Sequence, residues 1–190
     1  MKIERLTVGV GIVALLVGLL AGWMVRGVAT YNIHAAEVAN YDDWHVACPP
    51  ADTKEGSCEL SSDLIDRNQP GATALARMSI ATDKDGKEIL GFTLPFGVAL
   101  EAGMGLRLGK EPVKVYPYRT CNQVGCIATT PFDDNLKNAL KNSEDAAVMF
   151  AGLDGKPVAV PVSFKGYQKS LSAWHAAENR RHSWFWRLWS

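Results

Sequence analysis

Beyond residue 41, apolar and polar positions alternate with a period of two through much of the chain, the pattern of strands with one buried face. Residues 44–48 (WHVAC) predict a first strand. Residues 73–82 (TALARMSIAT) place Ala74, Ala76, Met78 and Ile80 on a face expected to point inward, and Leu75, Arg77, Ser79 and Ala81 on the other. The run Asp83-Lys84-Asp85-Gly86 predicts a tight turn into residues 88–94 (EILGFTL), because Asp and Gly tolerate the positive φ that hairpin turns require. The same logic recurs in residues 146–153 (AAVMFAGL), Asp154-Gly155 and residues 157–164 (PVAVPVSF). There Pro157 and Pro161 predict an edge strand whose amides are not all needed. Shorter strands are expected at residues 113–116 and 124–129. A short helix is expected at residues 133–141, with acids in its first turn and Leu136 and Leu140 at i, i+4. After residue 170 Leu171 and Trp174 recur at helical spacing, which predicts a helix or two outside the β core.

The amino-terminal pattern is different. Residues 6–25 (LTVGVGIVALLVGLLAGWMV) carry no charge, and as a helix they would extend roughly 30 Å, the thickness of a bilayer's hydrocarbon core. Lys2 and Arg5 precede this segment and Arg26 follows it, a weak bias for a cytoplasmic amino end. Gly11, Gly18 and Gly22 share one face, and Gly18-x-x-x-Gly22 permits close approach of a neighbouring membrane helix. The expected organisation is therefore a transmembrane anchor at 1–26, a tether at 27–40, a β domain at 41–168 and an aromatic, basic tail at 169–190. The alternative is a cleaved signal peptide, for which Gly27-Val28-Ala29 offers the small residues a peptidase requires.

Charge and cysteine usage narrow the function. The chain has 190 residues, and 20 Lys plus Arg balance 20 Asp plus Glu, so it lacks the broad basic field of nucleic-acid binders. All four cysteines, Cys48, Cys58, Cys121 and Cys126, follow the apolar segment. An even number beyond an export signal reads as two disulfides in an oxidising compartment, and no C-x-x-C spacing points to zinc, haem attachment or dithiol exchange. His34, His45, His175 and His182 are scattered and form no H-E-x-x-H arrangement. Gly103-Met104-Gly105 reads as a turn between strands, since the G-x-G-x-x-G of a phosphate loop is missing, and Asp133-Asp134 reads as helix-start acids. No catalytic, cofactor or metal site is expected. The stronger signal lies at the end of the chain. Trp184, Phe185, Trp186 and Trp189 crowd together among Arg180, Arg181 and Arg187, a composition enriched at membrane interfaces and protein hot spots.

An ordered series of features resembles the invasion-associated locus B family of bacterial exported proteins. The series is Asp43-Trp44-x-Val46-x-Cys48, then Cys58, then Leu94-Pro95-Phe96-Gly97-Val98 followed by Leu100, Gly103 and Leu106. It continues with Tyr116-x-Tyr118-Arg119-x-Cys121, Gly125-Cys126-x-Ala128 and Val162-Ser163-Phe164-x-Gly166-Tyr167. The resemblance covers residue 44 to about 167. It implies a β-sandwich-like exported domain, pairing of Cys48 with Cys58 and of Cys121 with Cys126, and no known catalytic activity. Closing two such short loops would stabilise the fold by roughly 2 to 3 kcal/mol each. Arg119, inside a family motif, is expected to serve structure more than binding. Taken together, the expected fold class is mainly β: a β-sandwich-like periplasmic domain with one N-terminal transmembrane helix, one short internal helix and a C-terminal helical tail. The expected role is a non-catalytic accessory subunit in the inner membrane, with a respiratory or photosynthetic complex as a plausible host. The alternative is a secreted or periplasmic virulence-associated binding protein with a cleaved signal peptide.

Overall fold

The computed structural model describes residues 14–22, 36–50, 53, 56–65 and 73–182. The chain divides into two units, Met1–Ala35 and Ala36–Ser190. In the first, residues 14–22 form a helical segment, α1, on which Leu15, Leu16, Val17, Leu19 and Leu20 are exposed. Gly18 and Gly22 lie on it, and nothing lies within 4 Å of where a Cβ would stand on either, whereas Gly11 falls outside the described residues. Among the described residues, no helix is long and apolar enough to cross a membrane.

The second unit is built from two antiparallel sheets. The first contains β1 (Glu37–Tyr41), β2 (Trp44–Cys48), β3 (Glu59–Ile65), β4 (Ala74–Thr82), β5 (Glu88–Leu94), β8 (Tyr118–Asn122) and β9 (Gly125–Pro131), in the order β1-β2-β3-β4-β5-β9-β8. The second contains β6 (Met104–Leu108), β7 (Lys114–Tyr116), β10 (Ala146–Ala151) and β11 (Pro157–Pro161), in the order β11-β10-β6-β7. Among the described residues, two α-helices, α2 (Asp134–Asn142) and α3 (Tyr167–His182), and a 3-10 turn at Leu100–Ala102 complete the unit.

The strongly alternating segments form strands for the reason their pattern suggests. In β4, Ala76, Met78 and Ile80 are buried as expected, while Ala74, at the strand's end, is exposed. Across the hairpin, Ile80 pairs with Leu90 and Met78 with Phe92, so the apolar positions of both strands fall on one face. The intervening turn is closed by Asp83, whose Oδ1 accepts the amide protons of Asp85 and Lys87 at 2.9 and 2.8 Å, and by Gly86 at φ 77°. β11 is an edge strand, as its prolines require. Asp133 caps α2 by accepting from the Leu136 amide at 2.8 Å.

Four strands and one helix depart from the sequence reading. β1 lies within what was expected to be tether, so the ordered unit begins before residue 41. β3 escapes the alternation test because two serines interrupt it. Ser62 points inward at 1 % exposure and is satisfied by donating to the Asp43 carbonyl at 2.8 Å. β6 was masked by its glycines. Gly103 does turn the chain at φ 68°, but Met104, Leu106 and Leu108 then enter the core from a strand at the centre of the second sheet. β8 is an exposed edge with little apolar contrast.

The largest correction concerns α3, expected outside the β core. Tyr167, Ser170, Trp174, Ala177 and Glu178 form a buried stripe at spacings of three and four, and Trp174 and Tyr167 are each 1 % exposed. Tyr167 meets the Trp44 ring at 4.9 Å between centroids. The helical spacing was legible, but a serine and a glutamate in the stripe kept it from reading as a core-facing one. The turn into α3 needs Gly166, whose φ is 85° and where a Cβ would collide with the Tyr41 carbonyl oxygen.

Candidate functional site

Cysteine pairing anchors both ends of the β domain. Cys48 is joined to Cys58, and Cys121 to Cys126. The first bridge closes the β2–β3 connection. α3 grips the same place: Trp174 Nε1 donates to the Cys58 carbonyl at 2.9 Å, and the Cys58 amide donates to Glu178 Oε1. Trp174 and Glu178 stand one helical turn apart, so a single helix face holds both backbone polar groups of one buried residue, Cys58. Glu178 Oε2 lies 3.2 Å from His182 Nε2. Arg181 extends the grip along the loop, donating to the carbonyls of Pro49 at 2.9 Å and Thr53 at 3.0 Å, with longer contacts to Pro50 and Gly56. The sequence reading grouped Arg181 with the aromatic tail, but its guanidinium is occupied by this loop. Glu178 was not singled out at all, although a carboxylate one turn after a tryptophan was the available signal.

Beside this grip runs an apolar groove of about 360 Å³. Ala39, Tyr41 and Val46 line it from the sheet, Ala173, Ala176 and Ala177 from α3, and Cys48 and Arg180 complete it. Its width comes from the alanines on the helix. A groove so lined accepts an apolar side chain and offers little to orient a polar substrate. Glu37 pairs with Cys48, and Arg181 binds Pro49, so the chain enters the β domain and leaves α3 at the same end, next to the first disulfide.

A second cluster joins three elements. Glu88 of β5 accepts Lys137 Nζ of α2 at 2.8 Å and faces His175 Nδ1 of α3 at 3.6 Å. The hydrogen bond to Glu88 holds the Lys137 ammonium above its ordinary pKa against the opposing effect of burial. Burial pushes the Tyr167 phenol up to about 12, and the Glu88 charge adds to the effect. Its hydroxyl has no hydrogen-bond partner among the described residues. His175 is half-exposed, and His45 binds Asn40 Oδ1 at 2.8 Å. Among the described residues, no group of three or more His, Cys, Asp or Glu side chains is placed to hold a metal.

At the second disulfide two of the sequence motifs meet. Cys126 pairs with Leu94, and Gly125, at φ 143°, packs where a Cβ would strike the Leu94 carbonyl oxygen. This explains why Leu94-Pro95-Phe96-Gly97 and Gly125-Cys126 belong together. Arg119 stands exposed where the β8–β9 register shifts between Tyr118 and Thr120. The strongest contact candidates from the sequence, Trp184, Phe185, Trp186 and Trp189, lie outside the described residues.

Comparison with known proteins agrees with this architecture. The family described as "Invasion associated locus B (IalB) protein" matches residues 44–175. Invasion protein B homologs from Brucella abortus strain 2308 and from biovar 1 strain 9-941 are each 29 % identical over 133 residues, covering 69 % of this chain and 75 % of theirs. The crystal structure of invasion associated protein B from Bartonella henselae aligns with a TM-score of 0.61 at 20 % identity, over 75 % of this chain and 99 % of that one. β1 and the end of α3, with Glu178 and Arg181, fall beyond the residues matched by the family. With that match spanning most of its length and its two disulfides in place, the chain belongs to the invasion-associated locus B family.

Proposed function

We propose that this protein is a non-catalytic accessory subunit that acts through protein and membrane contacts. In this reading residues 6–25 anchor it in the bacterial inner membrane with the amino end cytoplasmic, and its disulfide-bonded domain faces the periplasm. The observation that carries the reading is the shared end of the β domain. The strand that follows the uncharged segment starts opposite Cys48, and the helix that precedes Trp184, Phe185, Trp186 and Trp189 ends on the carbonyls of the Cys48–Cys58 loop. The chain therefore enters the β domain and leaves α3 at one end of it, which suits a domain held against a membrane or a membrane complex. The two disulfides support an oxidising compartment. Respiratory and photosynthetic complexes are the hosts to examine first.

The test is isolation of the full chain from native membranes in mild detergent, with intact mass and co-purifying proteins read from one sample. An uncleaved chain travelling with a defined membrane complex is the expected result. A chain shortened to about residue 30 and free of partners would overturn the reading in favour of a secreted or periplasmic binding protein.

A further inference from the structure

No side chain of the described residues fills the groove beside α3. The helix lines it with Ala173, Ala176, Ala177 and Arg180, which stand at i, i+3, i+4 and i+7 and so form one seam. Three of the four are alanines, so for most of its length the seam projects nothing longer than a methyl group. Opposite it, β1 contributes Ala39 and Tyr41, and β2 contributes Val46 and Cys48, which are themselves buried. The groove has a direction. α3 begins beside Tyr41, where Gly166 packs on the Tyr41 carbonyl, and ends beside Pro49, whose carbonyl Arg181 binds. The Arg180 end of the groove is therefore the end at which the chain leaves the helix, whose last residue is His182.

We propose that the indole of Trp184 occupies this groove. Helical spacing singles it out among the aromatic residues of the tail. At about 100° per residue, the four lining positions fall within an arc of roughly 100°, and Trp184, four residues after Arg180, falls inside that arc. Phe185, Trp186 and Trp189 fall about 120° or more from Ala173, on the far side. Side chains on a helix lean toward its amino end, so a ring at position 184 covers the turn at Arg180, where the groove opens.

The size of the groove favours an occupant from the same chain. A separate protein needs an interface of roughly 1,000 Å² in total, which so few lining residues do not present. A residue two positions beyond the end of α3 is held at a high effective concentration and needs no such area. The apolar lining suits the indole body, and the open side of the groove leaves its N–H in contact with water. Seated there, Trp184 fixes how the tail leaves the domain and turns Phe185, Trp186 and Trp189 away from it. The contact lies within Ala36–Ser190 and does not rest on the membrane reading, which intact mass and co-purification decide separately.

Thermal unfolding and fluorine NMR of the full chain in mild detergent test the seat. Trp184→Ala should lower the melting midpoint by about 5 °C, while Trp189→Ala should leave it within about 1 °C of wild type. Ala176 is exposed, so Ala176→Leu adds bulk to the groove from the helix side without disturbing the core. In that background Trp184→Ala should cost less than half as much, because the seat is already filled. With 5-fluorotryptophan incorporated, the resonance lost in Trp184→Phe identifies the ring. It should be broadened neither by a spin-labelled stearate in the micelle nor by a water-soluble gadolinium chelate. Equal midpoints for Trp184→Ala and Trp189→Ala overturn the proposal, as does an undiminished cost in the Ala176→Leu background. Broadening by the stearate places the ring in the micelle and broadening by the chelate places it in water, and either result overturns the proposal even where a variant fails to fold.

Discussion

Tyr167 shows how much one buried atom can set. Its ring fills the space against Trp44 and Phe164, but its hydroxyl has no hydrogen-bond partner among the described residues. Removing that oxygen should therefore cost little: Tyr167→Phe is expected to change the unfolding free energy at pH 7 by less than about 1 kcal/mol in urea titrations. The effect of pH has a definite sign. Burial raises the folded phenol from 10.0 to about 12, with Glu88 adding to it, so below pH 10 both folded and unfolded states keep the proton and stability is unaffected. Between pH 10 and 12 the unfolded chain releases its proton first, and stability falls, by about 3 kcal/mol once both have titrated. Wild type should lose stability through this window, and Tyr167→Phe should lose markedly less. The phenylalanine variant declining as steeply as wild type would assign the loss to other groups.

At the scale of elements, α3 and the Cys48–Cys58 loop act together. Arg181 binds the carbonyls of Pro49 and Thr53 while Trp174 and Glu178 hold the Cys58 peptide. Arg181→Ala should leave the strands intact and speed protease cleavage within residues 49–57 several-fold, with a stability cost of about 1 to 2 kcal/mol. The two disulfides should differ in weight. Cys48 and Cys58 are separated by 10 residues and buried, whereas Cys121 and Cys126 are separated by 5 and end an edge hairpin. By loop closure alone, replacing the first pair with serine costs about 3 kcal/mol and replacing the second about 2. The first replacement should cost still more, because it places polar hydroxyls in the core beneath α3. Chemical denaturation of the two double variants gives the comparison. Beyond a carboxylate one turn after a tryptophan, little of this grip is written in the sequence, since Ser170 and Glu178 break the apolar stripe that would have marked α3 as core.

On the scale of the whole molecule, one continuous core joins both sheets, α2 and α3. Residues 36–182 should therefore unfold in a single cooperative transition, with tryptophan fluorescence and far-ultraviolet circular dichroism coincident. Trp174→Ala, which empties a site 1 % exposed and frees the Cys58 carbonyl, should lower that transition as a whole by about 3 to 5 kcal/mol. Loss of helix signal alone, with the β transition unmoved, would show that α3 is an appendage after all.

Several features of this protein follow from its sequence alone. The strands β2, β4, β5 and β10, the turn at Asp83 to Gly86, the capped helix α2 and the family are written in short-range signals: a period of two, a residue that tolerates positive φ, an acid before a helix, an ordered set of motifs. Tertiary structure alone decided that β1 belongs to the sheet, that Ser62 can point inward, and that α3 is core. The physical reason is distance along the chain. Trp174 meets the carbonyl of Cys58 across 116 residues and Glu178 its amide across 120, and local periodicity contains no term for a polar group whose partner arrives from so far away.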